Sequence, residues 1–376
     1  MYSDEVIRPW FDRLMADLGS VPALFDAHTH TGASDPDGFR CSAEALREGL
    51  AAAGGARGVV FTMHEPDGYT QANDRVLAEA AASGGALIPF CRLDPRDSPL
   101  EEAERCLAAG ARGIKLHPRA EQFLLADEEA RPIFALAHER RLPVLVHAGR
   151  GIPALGRHAL DLCAAYPGMR MILAHAGISD LSWLWRHAPD HPNLFFDTSW
   201  WAPDDLLALF RLVPPGQILF GSDTPYGTPL TGAVIALRCA LQAGLDAEQA
   251  HAVGGGQLER LLAGEDAADL GPAPGDPVMG QDLLLGRVAT FLTAAFGRMV
   301  RGQDGDEQLA LARLACVVPP GSPQEPVCRS LIAIFDRLPP AGFPDEAPIP
   351  FMPGVHALSV ALIVARTPSV GLPDAV

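Results

Sequence analysis

Eight short apolar runs, each followed by a longer stretch of helical periodicity, restrict this chain to very few folds. The runs fall at residues 23–28, 58–63, 87–91, 113–116, 143–147, 170–174, 194–197 and 217–221, rich in Val, Ile, Leu and Phe. Helical patterns at 42–53, 72–82 and 100–109 fill the first gaps. Continuous apolar runs alternating with helices indicate parallel strands buried on both faces. Eight such units in roughly 240 residues match a (β/α)8 TIM barrel. An open doubly wound sheet competes, but no GxGxxG follows the first run. Gly254-Gly255-Gly256 comes late, between helices, where a phosphate-binding role is weakly supported.

The expected division is a barrel over 1–270 and a Pro-rich linker with a helical C-terminal appendage over 271–376. Residues 271–280 read as the linker, and helical patterns follow at 281–300, 307–316, 326–338 and 355–365. No chemical motif stands in the tail. Its expected role is packing on the barrel or joining copies into a homo-oligomer. At the other end, Trp10, Phe11, Leu14 and Leu18 form one helical stripe over 1–19 without the pattern of a signal peptide.

Net charge is −17, which repels nucleic acid and anionic membrane surfaces and leaves a small molecule as the expected partner. No apolar stretch is long enough to span a bilayer. The seven cysteines are scattered with no CxxC pair, as in reduced, buried thiols of a cytoplasmic protein. The basic residues are 28 arginines and a single lysine, Lys115.

Many runs end in a polar or ionisable residue. His28 and His30 stand two apart on the first strand and can share one face. His147, His175 and Asp223 each follow a later strand, and strand C-termini converge at one mouth of a barrel. Two His on one strand, one on each of two others and a terminal Asp make a metal set with an attached base. Lys115 and His117 share one strand end. Arg119 and Arg150 follow the fourth and fifth strands, as candidate clamps for a substrate carboxylate. Trp200 and Trp201 follow the seventh, as an apolar wall. His64 and Asp197 could line or orient the site, and Asp26 could orient a ligand. The histidines at 138, 158, 187, 191, 251 and 356 fall on helices or in the tail and read as surface or core residues. Ser222 lacks the flanking pattern and partners of a nucleophilic serine.

Taken in order, these motifs resemble the amidohydrolase superfamily. They are HTH at 28–30, GIKLHP at 113–118, VLVHAG at 144–149, ILAHAG at 172–177, NLFFDTS at 193–199 and ILFGSDTPYG at 218–227. The likeness is to the branch holding small metal-dependent hydrolases and aminocarboxymuconate-semialdehyde-type decarboxylases. It covers roughly residues 20–264 and not the tail, and 254–262 resembles the family's closing helix. The resemblance implies His28, His30, His147 and Asp223 as ligands of a divalent metal, zinc by preference. His175 is then an acid/base or a ligand to a second ion, and Asp223 the base. It further implies Lys115 as a carbamate bridge or an unmodified site group, and His117 as the residue polarising a substrate carbonyl. The implied reaction is hydrolysis of an amide, lactone or ester. Non-oxidative decarboxylation of an aromatic or muconate-like acid is the alternative, and an inactive binding scaffold the third reading.

Overall fold

The computed structural model describes residues 2–19, 23–275, 282–338, 351 and 354–374. Part of the expected linker, 276–280, lies outside these residues. Eight parallel strands form one sheet in sequence order. They are β1 Phe25–Thr31, β2 Arg57–Thr62, β3 Leu87–Arg92, β4 Gly113–Leu116, β5 Pro143–Val146, β6 Arg170–Leu173, β7 Leu194–Asp197 and β8 Ile218–Leu219. The edges meet through backbone bonds from Ala27 N–H to Phe220 O and from His30 N–H to Thr224 O, so the sheet curls into a nearly closed barrel. The TIM-barrel expectation holds, with two boundary changes. β1 runs on past His30 to Thr31, and β8 is only two residues long.

Strand alternation decides which residues enter the barrel. Ile114 and Leu116 pack outward against the helices, so Lys115 between them points into the interior. The interior itself is filled by Phe25, Val59, Phe61, Phe90, Leu145, Ile172, Phe195 and Leu219. On β1 the alternation is interrupted. Phe25 and Ala27 belong to the interior cluster, and the pairing with β2 shifts between Asp26 and Thr29. Such an irregularity re-aims the side chains beyond it. His28 and His30 both then face Phe61, at centroid distances of 5.3 and 4.5 Å.

The glycine run at 254–256 packs rather than cradles phosphate. A Cβ on Gly255 would sit 2.2 Å from the Ala23 carbonyl oxygen, at the foot of β1.

The tail forms helices Leu283–Met299, Asp306–Ala315, Glu325–Phe335 and Val355–Arg366. Residues 355–365 of the last are all buried, against the N-terminal helix Tyr2–Asp17, the helix Pro229–Ala243 after β8 and two other tail helices. The N-terminal stripe is buried as expected, and Trp10 Nε1 donates to Ser330 Oγ at 3.0 Å. Arg238, fully buried on Pro229–Ala243, fastens the chain end. It donates to Thr367 Oγ1 at 2.9 Å, to the Thr367 carbonyl at 3.0 Å and to the Gly371 carbonyl at 2.8 Å. Burial pulls its pKa down to about 10, so it stays charged at neutral pH. Arg238→Met strands these acceptors and is expected to lower unfolding free energy by about 2–4 kcal/mol, read by urea titration. No helix among the described residues is long and apolar enough to cross a membrane, and all seven cysteines are buried and unpaired.

Candidate metal centre

The barrel mouth gathers the histidines of β1, β4, β5 and β6 around Asp223. His28 Nε2 and His30 Nε2 lie 3.2 and 3.1 Å from Asp223 Oδ1. Among the described residues, His28, His30 and Asp223 form the group whose donor atoms are close enough to hold one ion. Burial first, then the nearby Lys115, pushes both imidazoles well below their ordinary pKa. They are therefore neutral, the form that binds a metal. Burial also raises the Asp223 carboxyl to about 7, against the opposing pull of His175 and Lys115. Asp223 adopts φ 56, and His175 and Ala176 sit at 56 and 57. Left-handed backbone at non-glycine residues costs about 1–3 kcal/mol each and persists only where surroundings enforce it.

A hydrogen-bond network sets the tautomers. His28 Nδ1 donates to Asp197 Oδ2 at 2.8 Å, which leaves the Nε2 lone pair facing Asp223. A carboxylate on the far nitrogen is the usual way to orient a ligating histidine. Asp197 Oδ1 meanwhile accepts from the His175 and Ser199 N–H groups at 2.9 and 3.0 Å, and from Ser199 Oγ at 2.5 Å. His175 Nδ1 donates to the Ser199 carbonyl at 2.8 Å, so its Nε2 accepts from His147 Nδ1 at 2.9 Å. His147 Nε2 is thereby left as a buried lone pair without a protein partner. A Cβ on Gly149 would come within 2.6 Å of that nitrogen, so glycine keeps the space beside it open.

His147 thus stands outside the three-residue group. It stacks on His117 at 3.8 Å with planes 10° apart, and it reaches Asp223 only through His175. His117 Nδ1 accepts from Ala120 N–H at 3.1 Å, which places its proton on Nε2. The donor set fits a divalent cation. It offers two neutral imidazole nitrogens, a carboxylate oxygen and a nearby unpartnered imidazole nitrogen.

Lys115 is fully buried, its Nζ 3.3 Å from His28 Nε2 and 4.6 Å above the Phe61 ring. Burial lowers its pKa to about 7, although Asp223 pulls the other way. The Asp197 carboxylate is taken by His28, His175 and Ser199. Asp26 accepts from the His28 and Ser222 N–H groups at 3.0 and 2.9 Å, bracing β1 against the β8 end. Trp200 stands 6.2 Å from His175 and packs on Trp201. Arg150 is exposed and lines a cavity of about 490 Å³ with Gly151–Pro153, Ile178 and Ser179, beside the loops that follow His147 and His175. Arg119 is exposed in the turn after His117. His64 is drawn aside toward Tyr69, 3.5 Å from its hydroxyl.

Two residues at the site are missing from the set read off the sequence. Ser199 lies two residues past the end of β7, with Oγ 3.1 Å from both His28 Nδ1 and His175 Nδ1. Its place in NLFFDTS was the available signal. Arg92 ends β3, paired in register with Lys115, and is buried against Glu121 at 2.7 Å. Its place directly after the apolar run 87–91 was the available signal.

A sequence profile described as Amidohydrolase matches residues 25–262. No curated protein matches the chain. Among solved structures, the chain resembles an amidohydrolase from Burkholderia multivorans with bound HEPES, at 16% identity and TM-score 0.53, covering 64% of this chain and 99% of the other. It resembles a 2,6-dihydroxybenzoate decarboxylase from Rhizobium at 17% identity and TM-score 0.51, again over 64% and 99%. A 5-carboxyvanillate decarboxylase from Sphingomonas paucimobilis gives 15% identity and TM-score 0.51, over 65% and 99%. At these identities the structural likeness speaks for the fold, and the profile, spanning more than half of the chain, for the family: this chain belongs to the amidohydrolase superfamily.

Proposed function

We propose that this chain is a metal-dependent hydrolase acting on an amide, lactone or ester carbonyl of a small molecule. The observation that carries the reading is the convergence of His28 Nε2 and His30 Nε2 on one oxygen of Asp223, at 3.2 and 3.1 Å. An imidazole lone pair and a carboxylate oxygen this close repel each other unless a proton or cation lies between them. His28, His30 and Asp223 would hold one divalent ion, zinc by donor type, with His147 Nε2 as the further donor. Such an ion polarises a carbonyl and lowers the pKa of water from 15.7 to about 7.

The chain's own residues supply the rest. Asp223 accepts the proton of the attacking water, and a carboxyl raised toward about 7 is well matched to proton transfer at neutral pH. His175, whose Nδ1 is 3.9 Å from Asp223 Oδ2, is the second proton carrier: it takes the proton on from Asp223 once Nδ1 is released from the Ser199 carbonyl. His117 presents its Nε2–H to the substrate oxygen. Trp200 walls the pocket, and Arg150 rather than the outlying Arg119 meets a substrate carboxylate. Lys115 is read as an unmodified amine beside a single ion, not as a carbamate between two. Residues 1–270 are read as the catalytic unit and 271–376 as its support.

Elemental mass spectrometry tests the centre: one divalent ion per chain is expected, and none in the His28→Ala/His30→Ala double variant. Stoichiometric metal and turnover in that variant would overturn the assignment. Two ions per chain together with a mass gain of one CO2 would restore the carbamate. The Trp200 face beside His175 favours a second reading, decarboxylation of a planar aromatic acid stacked on it. Reaction in 18O-labelled water separates the two. Hydrolysis puts the label into product, whereas decarboxylation releases CO2 and leaves the organic product unlabelled.

A further inference from the structure

The tail reaches the metal site through one histidine. His356, buried at the start of the helix Val355–Arg366, donates from Nε2 to the Tyr226 carbonyl at 3.1 Å. Tyr226 belongs to the tight loop that carries Asp223. The Tyr226 and Gly227 N–H groups close back on the Asp223 carbonyl at 2.8 and 3.1 Å. The Tyr226 ring stands edge-on to His30 at 5.7 Å and against Phe39 at 4.5 Å, and its hydroxyl donates to Asp35. Phe351 packs edge-on against Phe39 at 4.9 Å.

Asp223 needs such a fastening. Its left-handed backbone is strained, and its carboxylate must stay in step with two imidazoles on another strand. The family profile ends at residue 262, and the compared structures are matched almost in full by about 64% of this chain. The bond from His356 therefore joins a segment beyond the matched region to the loop of Asp223.

We propose that His356 is a positioning residue of the metal centre: by holding the Tyr226 carbonyl it keeps the 223–227 loop, and so Asp223, in register with His28 and His30. The proposal rests on the reading of those three residues as metal ligands. A buried side chain that orients a ligand typically accounts for 10–100-fold in metal affinity.

The test compares His356→Phe, which keeps bulk but loses the donor, with His356→Gln, whose amide nitrogen can replace Nε2–H. Hydrogen–deuterium exchange of the peptide spanning 222–228 reads the loop, and competition with a chromophoric chelator reads Zn2+ affinity. His356→Phe is expected to speed exchange at Tyr226 and Gly227 and to weaken Zn2+ binding about 10-fold. His356→Gln is expected to stay near wild type in both. Wild-type exchange in His356→Phe, or faster exchange with unchanged Zn2+ affinity, would overturn the proposal. So would a His356→Gln that folds yet fails as badly as His356→Phe. A wild-type chain that takes up no Zn2+ would instead bring down the metal-centre reading, and this proposal with it.

Discussion

Asp223→Asn is expected to lower turnover by about 10³-fold or more without lowering the thermal midpoint of the metal-free chain. In the proposed function Asp223 has two tasks, and the substitution removes both. A carboxylate oxygen shared by two imidazoles at 3.1 and 3.2 Å is there the anionic donor to the ion, and an amide oxygen is a far weaker one. The same carboxylate is the proposed proton acceptor, a role worth about 10²–10⁴-fold by itself. Stability should move the other way. Burial raises the Asp223 pKa to about 7, so above that pH the folded chain carries an ionised group that the fold disfavours. The neutral amide avoids this cost, and the midpoint of the metal-free chain should hold or rise at pH 8. Steady-state rates with metal in excess, together with scanning calorimetry of the chelator-treated chain, check both halves. Turnover above about a tenth of wild type would remove Asp223 as base.

The second large effect is expected at Asp197. Its fully buried carboxylate accepts from the His28 ring, from two backbone N–H groups and from the Ser199 hydroxyl. Asp197→Ala leaves these donors unmatched in the barrel and is expected to cost about 3–5 kcal/mol of stability. Asp197→Asn separates structure from chemistry. The amide keeps the volume and one acceptor for the backbone, but its NH2 facing His28 Nδ1 reverses the imidazole tautomer. That moves the proton to Nε2, where the metal donor should be. Metal affinity should therefore fall about 10–100-fold in both variants, while the larger stability loss belongs to Ala alone. Urea unfolding and Zn2+ competition measure the two quantities separately. An Asp197→Asn that binds Zn2+ like wild type would show that Asp197 does not orient His28.

Much of this centre could be read from strand ends. A buried parallel strand exposes its C-terminal residue to the barrel mouth, so His28, His30, Lys115, His117, His147, His175 and Asp223 were all legible as a ring. Tautomers were not legible, because they depend on pairs such as Ser199 and His175 brought together from different strands. Arg92, the last residue of β3, was legible by the same rule, but its burial against Glu121 was not. Arg119 and Arg150 look alike in sequence, each just past a strand, yet Arg119 is exposed in a turn while Arg150 lines a cavity of about 490 Å³. A loop side chain's direction is set by the loop's path, which has no fixed period.

The sequence by itself determined the barrel and its chemistry-bearing positions. Apolar periodicity decides which elements form, and parallel strands with short connections leave few ways to arrange eight of them. It also singled out Lys115, as the one lysine of the chain and a residue sharing a strand end with His117. Only the tertiary structure decided that a shift in the β1–β2 register aims His28 and His30, that His147 stacks on His117 rather than joining the three-residue group, and that His356 reaches the loop of Asp223 from 133 residues away in the chain. Each of these depends on contacts between residues far apart in sequence, whose geometry no local pattern encodes.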